Sequence, residues 1–261
     1  MNRLPPLMKQ ATSPSSPASS QPTVALEFGH IQCDARHATP HALFVPMHYE
    51  PNYAYPLLVW LHGPGDDERQ LQRIMPLVSL RNYVAIGPRA SGKIAGRRGQ
   101  DWRQEEADID VAETSIFNCI DLISARFHVA PHRIFVAGFG SGGTMAFRIG
   151  LRNPQRFAGA LSLGGEFPSG HMPLARLTHA RKLPLFIAHG RDAEHYSIDR
   201  SCDELRLFHS AGLSVTLRQY PCGDELTTHM LSDMDRWMME LVTGVEQGSS
   251  VDTPNFGNEY N

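Results

Sequence analysis

The sequence predicts an α/β protein with a mostly parallel sheet and helices on both faces. Two observations carry that expectation. Short, fully apolar runs recur along the chain and alternate with stretches of helical periodicity. Glycine-rich and His-Gly turns close several of those runs, and in sheets of this kind sites gather at the carboxyl ends of strands.

The elements follow in order. His41 to Pro46 is a short strand, and Pro56-Leu-Leu-Val-Trp-Leu61 is a stronger one. Asp66, Asp67 and Glu68 then read as the start of a helix, where carboxylates meet the positive end of the dipole. Strands follow at Tyr83–Ile86, Arg133–Ala137, Phe157–Leu163, Leu183–Ala188 and Ser214–Gln219. Continuous apolar runs of this length suit strands covered on both faces. From Glu105 to Arg126, the residues Ile109, Ala112, Ile116, Ile120 and Ile123 recur at three- and four-residue steps, the mark of a helix with one buried stripe. Further helices are expected over Thr144–Leu151, Arg200–Ala211 and Leu226–Val242.

Composition narrows the function. The 261 residues carry a net charge of −3, with no basic stripe, which argues against a nucleic-acid partner. The four cysteines form no Cys-x-x-Cys and read as reduced cytosolic thiols, and the start of the chain has no signal-peptide core. No segment approaches the roughly 18 apolar residues of a membrane helix. The protein therefore reads as cytoplasmic, with a homo-oligomer compatible. Residues 1–23 read as a disordered Ser/Pro-rich extension, 24–245 as one domain, and 246–261 as a flexible tail. The thirteen histidines show no pair spaced for a metal on one helix face, and no cofactor is expected.

Six motifs then appear in order: Leu61-His-Gly-Pro-Gly-Asp66, Arg133-Ile-Phe-Val-Ala-Gly-Phe139, Gly142-Gly-Thr-Met-Ala146, Asn153-Pro-Gln-Arg-Phe-Ala-Gly159, His189-Gly190 and Tyr220-Pro-Cys-Gly223. In these the chain, from about residue 41 to 242, resembles the carboxylesterase/phospholipase family that includes acyl-protein thioesterases. The resemblance implies an α/β-hydrolase fold and a Ser, acid, His triad in that chain order.

Laid on Arg133 without gaps, the family pattern puts the nucleophile at Gly140 and its following glutamine at Ser141. The triad acid, three residues after His-Gly, falls on Ala193, and the triad histidine falls on Asp224. An aspartate cannot shuttle a proton near neutral pH unless burial raises its pKa by several units. In the oxyanion loop, Gly63, Pro64 and Gly65 follow His62, and the family's backbone donor falls on Pro64, which has no N–H. Ser141 supplies the other amide. Losing one such donor typically costs about 2.7–4 kcal/mol of transition-state stabilisation. Glycine at the nucleophile position relieves the strain of that turn, so the fold should persist.

The reading is a hydrolase-fold protein with an impaired triad, a pseudoenzyme that binds a small carboxylate or acyl ligand or acts as a partner protein. Two alternatives stay open. Ser141 could act as nucleophile with Asp192 and His229 in an active carboxylic-ester or thioester hydrolase; its plain role is to cap the helix. Gly138 to Gly143 also satisfies G-x-G-x-x-G, a dinucleotide fingerprint, with Glu166 loosely placed as the ribose acid. Trp102 matches a family tryptophan on the loop over the pocket and is expected to line the cleft, with simple packing as the other reading. Cys222 falls near the expected cleft and reads as a plain cysteine, buried or half-exposed, with a reactive thiol as the other reading, and His62 and His189 read as structural.

Overall fold

The apolar runs do become the strands of one sheet. In a computed structural model, residues 39–93 and 99–244 are described. The expected extension at 1–23 and tail at 246–261 lie outside them, as do residues 24–38, 94–98 and 245 of the expected domain. The strands are β1 (His41–Phe44), β2 (Tyr55–Leu61), β3 (Val84–Pro88), a small ribbon of β4 (Gly92–Lys93) and β5 (Gln100–Asp101), β6 (Val129–Phe139), β7 (Gly159–Leu163), β8 (Leu185–Gly190) and β9 (Val215–Tyr220). The main sheet has seven strands in the order β1-β3-β2-β6-β7-β8-β9. β1 runs antiparallel to β3, and every other pairing is parallel.

Strand residues alternate between two apolar layers, as the two-residue side-chain period requires. Leu57, Val59 and Leu61 of β2 face a core shared with α2 (Glu106–Arg126), α3 (Ser141–Arg152) and α5 (Ile198–Ala211). Leu58 and Trp60 face a second core, built with α1 (Gln70–Val78) and α6 (Thr228–Thr243). The stripe Ile109, Ala112, Ile116, Ile120 and Ile123 is buried along the whole of α2. One further short helix, α4, spans Leu177–Ala180. Among the described residues, no helix is long and apolar enough to cross a membrane.

Some helix starts differ from the sequence reading, for local reasons. α5 and α6 are set by their caps: the Ser197 hydroxyl accepts from the Arg200 amide, and the Thr227 hydroxyl accepts from the Met230 amide. α3 starts at Ser141 rather than Thr144, because the glycines after the turn are already helical. The acidic cluster does not open α1, whose first turn holds no acidic residue. Those carboxylates have other partners. Glu68 is buried against Arg89, with the Arg89 Nε–H donating to Oε2 at 2.5 Å. Asp66 accepts from the Gln70 side chain and from Arg73.

The strand order reverses between β2 and β6. A switch point of this kind opens a crevice at the carboxyl edge of a parallel sheet. The ends of β2, β6, β7, β8 and β9 all deliver their loops there.

Candidate functional site

The turn between β6 and α3 stands at the centre of that edge. Gly140 sits there at φ 54° and ψ −122°, and Ser141 is the first residue of α3. The left-handed φ disfavours a side chain. Space disfavours one as well. A Cβ placed on Gly140 would lie 2.9 Å from Cδ of Pro64, so the proline ring of the β2 loop fills the place where a side chain would begin. Gly142 is pressed still closer: its Cβ would lie 2.3 Å from the Leu61 carbonyl oxygen. Close packing of α3 on β2 thus accounts for a glycine of the Gly138–Gly143 run without a nucleotide. Glu166, the residue considered for a ribose, pairs with Arg200 at 2.7 Å.

The loop after β2 is held from several sides. Gln70 Oε1 accepts from the Gly63 amide at 3.0 Å and from Trp60 Nε1 at 2.8 Å. The Gly65 amide donates to the Gln100 carbonyl at 2.9 Å. His62 is buried; its Nε2 accepts from the Ala90 amide at 3.1 Å, so Nδ1 carries the proton donated to the Gly63 carbonyl at 2.9 Å. Burial pushes the His62 pKa down, which keeps this loop anchor neutral. Trp102 does not line the cleft as expected. It is 3% exposed, and its indole N–H donates to the His62 carbonyl at 3.0 Å, so it props the loop from beneath.

Above this floor lies a cleft of about 390 Å³, walled by Pro64, Gln104, Phe139, Gly140, Ser141, Thr144, Gly164–Glu166, His195, Tyr196 and Asp224. Ser141 does not cap α3 with its side chain; its hydroxyl donates to Asp101 Oδ1 at 2.5 Å, across to the ribbon strand β5. Asp192 is exposed and turned to Arg191 at 3.2 Å. His229 is exposed on the first turn of α6. Ser141, Asp192 and His229 form no hydrogen bond to one another among the described residues. Ala193 follows the strand end in a tight turn, its amide donating to the Gly190 carbonyl at 3.2 Å.

A different pair stands at the open mouth of the cleft, with the His195 side chain 88% exposed and Asp224 more covered. His195, two residues past Ala193, places Nδ1 at 2.8 Å from Asp224 Oδ2. The backbone amides of Glu194 and His195 donate to the same carboxylate at 3.1 and 3.3 Å. Burial alone would raise the Asp224 pKa, but these bonds outweigh it and hold it below the usual range. The carboxylate in turn raises the His195 pKa, first through the hydrogen bond and then through its charge. The sequence did carry a signal for this pair. A histidine lies two residues after the acid's place, and a carboxylate stands at the histidine's place.

Behind this pair, beneath the cleft lining, lies a buried polar cluster. Tyr196 donates its hydroxyl to Glu204 Oε2 at 2.5 Å, and the Phe167 amide donates to the same carboxylate at 3.2 Å. Burial pushes the Glu204 carboxyl up. His189 is fully buried, with Nε2 at 2.8 Å from the Tyr196 carbonyl. Cys222 is also buried, and desolvation raises its thiol. Among the described residues, no group of three or more His, Cys, Asp or Glu is placed to hold a metal.

The sequence and fold are similar to those of known proteins. A profile described as Phospholipase/Carboxylesterase matches residues 50–241. The candidate esterase NocK of Nocardia uniformis subsp. tsuyamanensis is 25% identical over 196 residues, which is 73% of this chain and 52% of that protein. The chain thus spans about half the length of that relative. The carboxylesterase SOBER1 of Arabidopsis thaliana is 20% identical over 207 residues, 72% of this chain and 91% of that one. Its crystal structure superposes with a TM-score of 0.62 at 20% identity, covering 72% of this chain and all of that chain. A carboxylesterase from Mesorhizobium loti superposes at 0.66 with 17% identity, over 81% of this chain and 99% of that one.

Proposed function

The chain belongs to the phospholipase/carboxylesterase family of α/β-hydrolases, and from that premise we propose that it has given up the family's serine nucleophile while keeping the cleft. The observation that carries this reading is the seat of Pro64 against Gly140. The nucleophile's place holds no side chain, and a proline ring 2.9 Å from the missing Cβ position occupies its space. The same proline withholds an oxyanion amide. Without a serine ester intermediate, the family's covalent route is impaired, and what the cleft retains first is binding, as a ligand-binding or partner protein in the cytoplasm. Of the ligands considered, an acyl group suits the cleft better than a carboxylate. Its wall is largely apolar, and the carboxylates of Glu166 and Asp224 stand on it.

The weaker reading, an esterase using Ser141, is supported by the place of that hydroxyl on the cleft wall. Against it stands the bond to Asp101, which turns the hydroxyl toward a carboxylate rather than an imidazole. Labelling purified protein with a fluorophosphonate probe, mapped by mass spectrometry, separates the two. We expect no adduct on Ser141 while an active carboxylesterase labels alongside. An adduct on Ser141 that disappears on heating and in Ser141→Ala would sink the proposal.

A further inference from the structure

The acid–base half of the family's machinery has not vanished with the nucleophile. Its two members have changed places. The loop after β8, expected to carry the acid, carries His195. The loop after β9, expected to carry the histidine, carries Asp224. The two meet at 2.8 Å across 29 residues of chain, and both line the cleft that holds Gly140 and Ser141. Chance surface contact explains this poorly, because Asp224 also clamps the backbone amides of Glu194 and His195 and so fixes the loop on which the imidazole is mounted.

We propose that His195, oriented by Asp224, is a general base that directs water onto an activated ester held in the cleft. This rests on the acyl-binding reading above but needs no serine. Nδ1 is engaged by Asp224, which leaves Nε2 as the working nitrogen. Nε2 takes a proton from water as the water oxygen bonds to the acyl carbon, and the carbonyl pair moves onto its oxygen. The start of α3, with the Ser141 amide, is the donor site for that charge, because Pro64 has none to offer. Collapse of the adduct breaks the bond to the leaving oxygen, which receives the proton back from Nε2. The products are a carboxylic acid and an alcohol, and Asp224 stays ionised throughout. General-base assistance of this kind typically contributes roughly 10²–10⁴-fold. The site is open and lacks one oxyanion donor, so the lower end is expected.

The charged groups acting on His195 are Asp224, Glu194 and Glu166, the last neutralised in part by Arg200. All three carboxylates favour the protonated ring, so activity should rise with pH through a midpoint above the ordinary histidine value of 6.5. The test is hydrolysis of p-nitrophenyl acetate from pH 5 to 9 by the full chain, with folding of each variant checked by thermal melting. His195→Ala is expected to lower kcat/KM at pH 8 about 10²-fold. Asp224→Asn is expected to move the pH midpoint downward as well as lower the plateau, which a merely structural role would not do. His132→Ala, exposed near the amino end of β6, serves as the control and should leave both unchanged. Hydrolysis no faster than buffer, a His195→Ala variant as active as the parent, or a pH midpoint unmoved in Asp224→Asn would each overturn the inference. Loss of activity in Ser141→Ala together with a fluorophosphonate adduct there would instead overturn the proposed loss of the serine route.

Discussion

Restoring a serine at the nucleophile's position should damage this protein before it improves it. In Gly140→Ser the new Cβ would sit 2.9 Å from Pro64 Cδ, roughly 0.6 Å inside the ~3.5 Å lower bound of comfortable carbon–carbon contact. A proline ring cannot swing aside as a flexible side chain could. Overpacking of this kind costs about 1–3 kcal/mol. Holding a non-glycine residue at φ 54° and ψ −122° adds a further ~1–3 kcal/mol. Together the loss is about 2–6 kcal/mol, which at about 2–4 °C per kcal/mol is a fall in Tm of roughly 4–24 °C. The informative experiment is a double-mutant cycle by equilibrium urea unfolding. In the Pro64→Ala background the steric part should vanish and the backbone part should remain. The coupling between the two sites is then about 1–3 kcal/mol, well above the ~0.5 kcal/mol expected of independent sites. If Gly140→Ser costs the same in both backgrounds, Pro64 does not occupy the nucleophile's space, and the main support for the proposed function is gone.

Three further outcomes are expected. Arg89→Ala should destabilise the fold by about 3 kcal/mol in urea unfolding, because it strands the fully buried Glu68 carboxylate; a loss under 1 kcal/mol would show that the pair contributes little. Glu204 has a raised carboxyl pKa in the fold, owing first to burial. A raised folded-state pKa gives stability that is complete below the unfolded value, near 4.5, and is lost as pH rises through the folded value. Unfolding free energy measured from pH 4 upward should therefore carry a declining component that Glu204→Gln removes; an identical slope in both proteins would refute that assignment. Iodoacetamide at pH 7.5 should modify the exposed Cys202 well before Cys222, whose thiol is buried and raised by desolvation. Mass spectrometry showing equal labelling in the folded protein would contradict that burial.

Much of the fold was legible before any coordinates. The run Pro56–Leu61 has no polar residue, and a strand covered on both faces is the structure that buries it whole. The isoleucine stripe of α2 is equally direct, since its spacing leaves one apolar face to cover. The seven sheet strands lie close to where the apolar runs put them, and the order of motifs from Leu61 to Gly223 pointed to the family. The missing proline N–H at residue 64 needed only the sequence, because it follows from covalent chemistry.

The contacts that decide the site were not readable in that way. Helix starts at Ser141, Ile198 and Thr228 follow from caps and glycine packing that a periodic pattern does not encode. Trp102 turns inward because the His62 carbonyl offers its indole a buried acceptor. Ser141 finds Asp101 across a ribbon too short to announce itself. His195 meets Asp224 because β8 and β9 are parallel neighbours, so loops 29 residues apart leave the sheet side by side. By itself, the sequence determined which backbone groups are missing and which segments must be buried, since those depend on local chemistry and on the period of apolar side chains. Only the tertiary structure decided which side chains face each other in the cleft, because that depends on the register and order of strands brought together from distant parts of the chain.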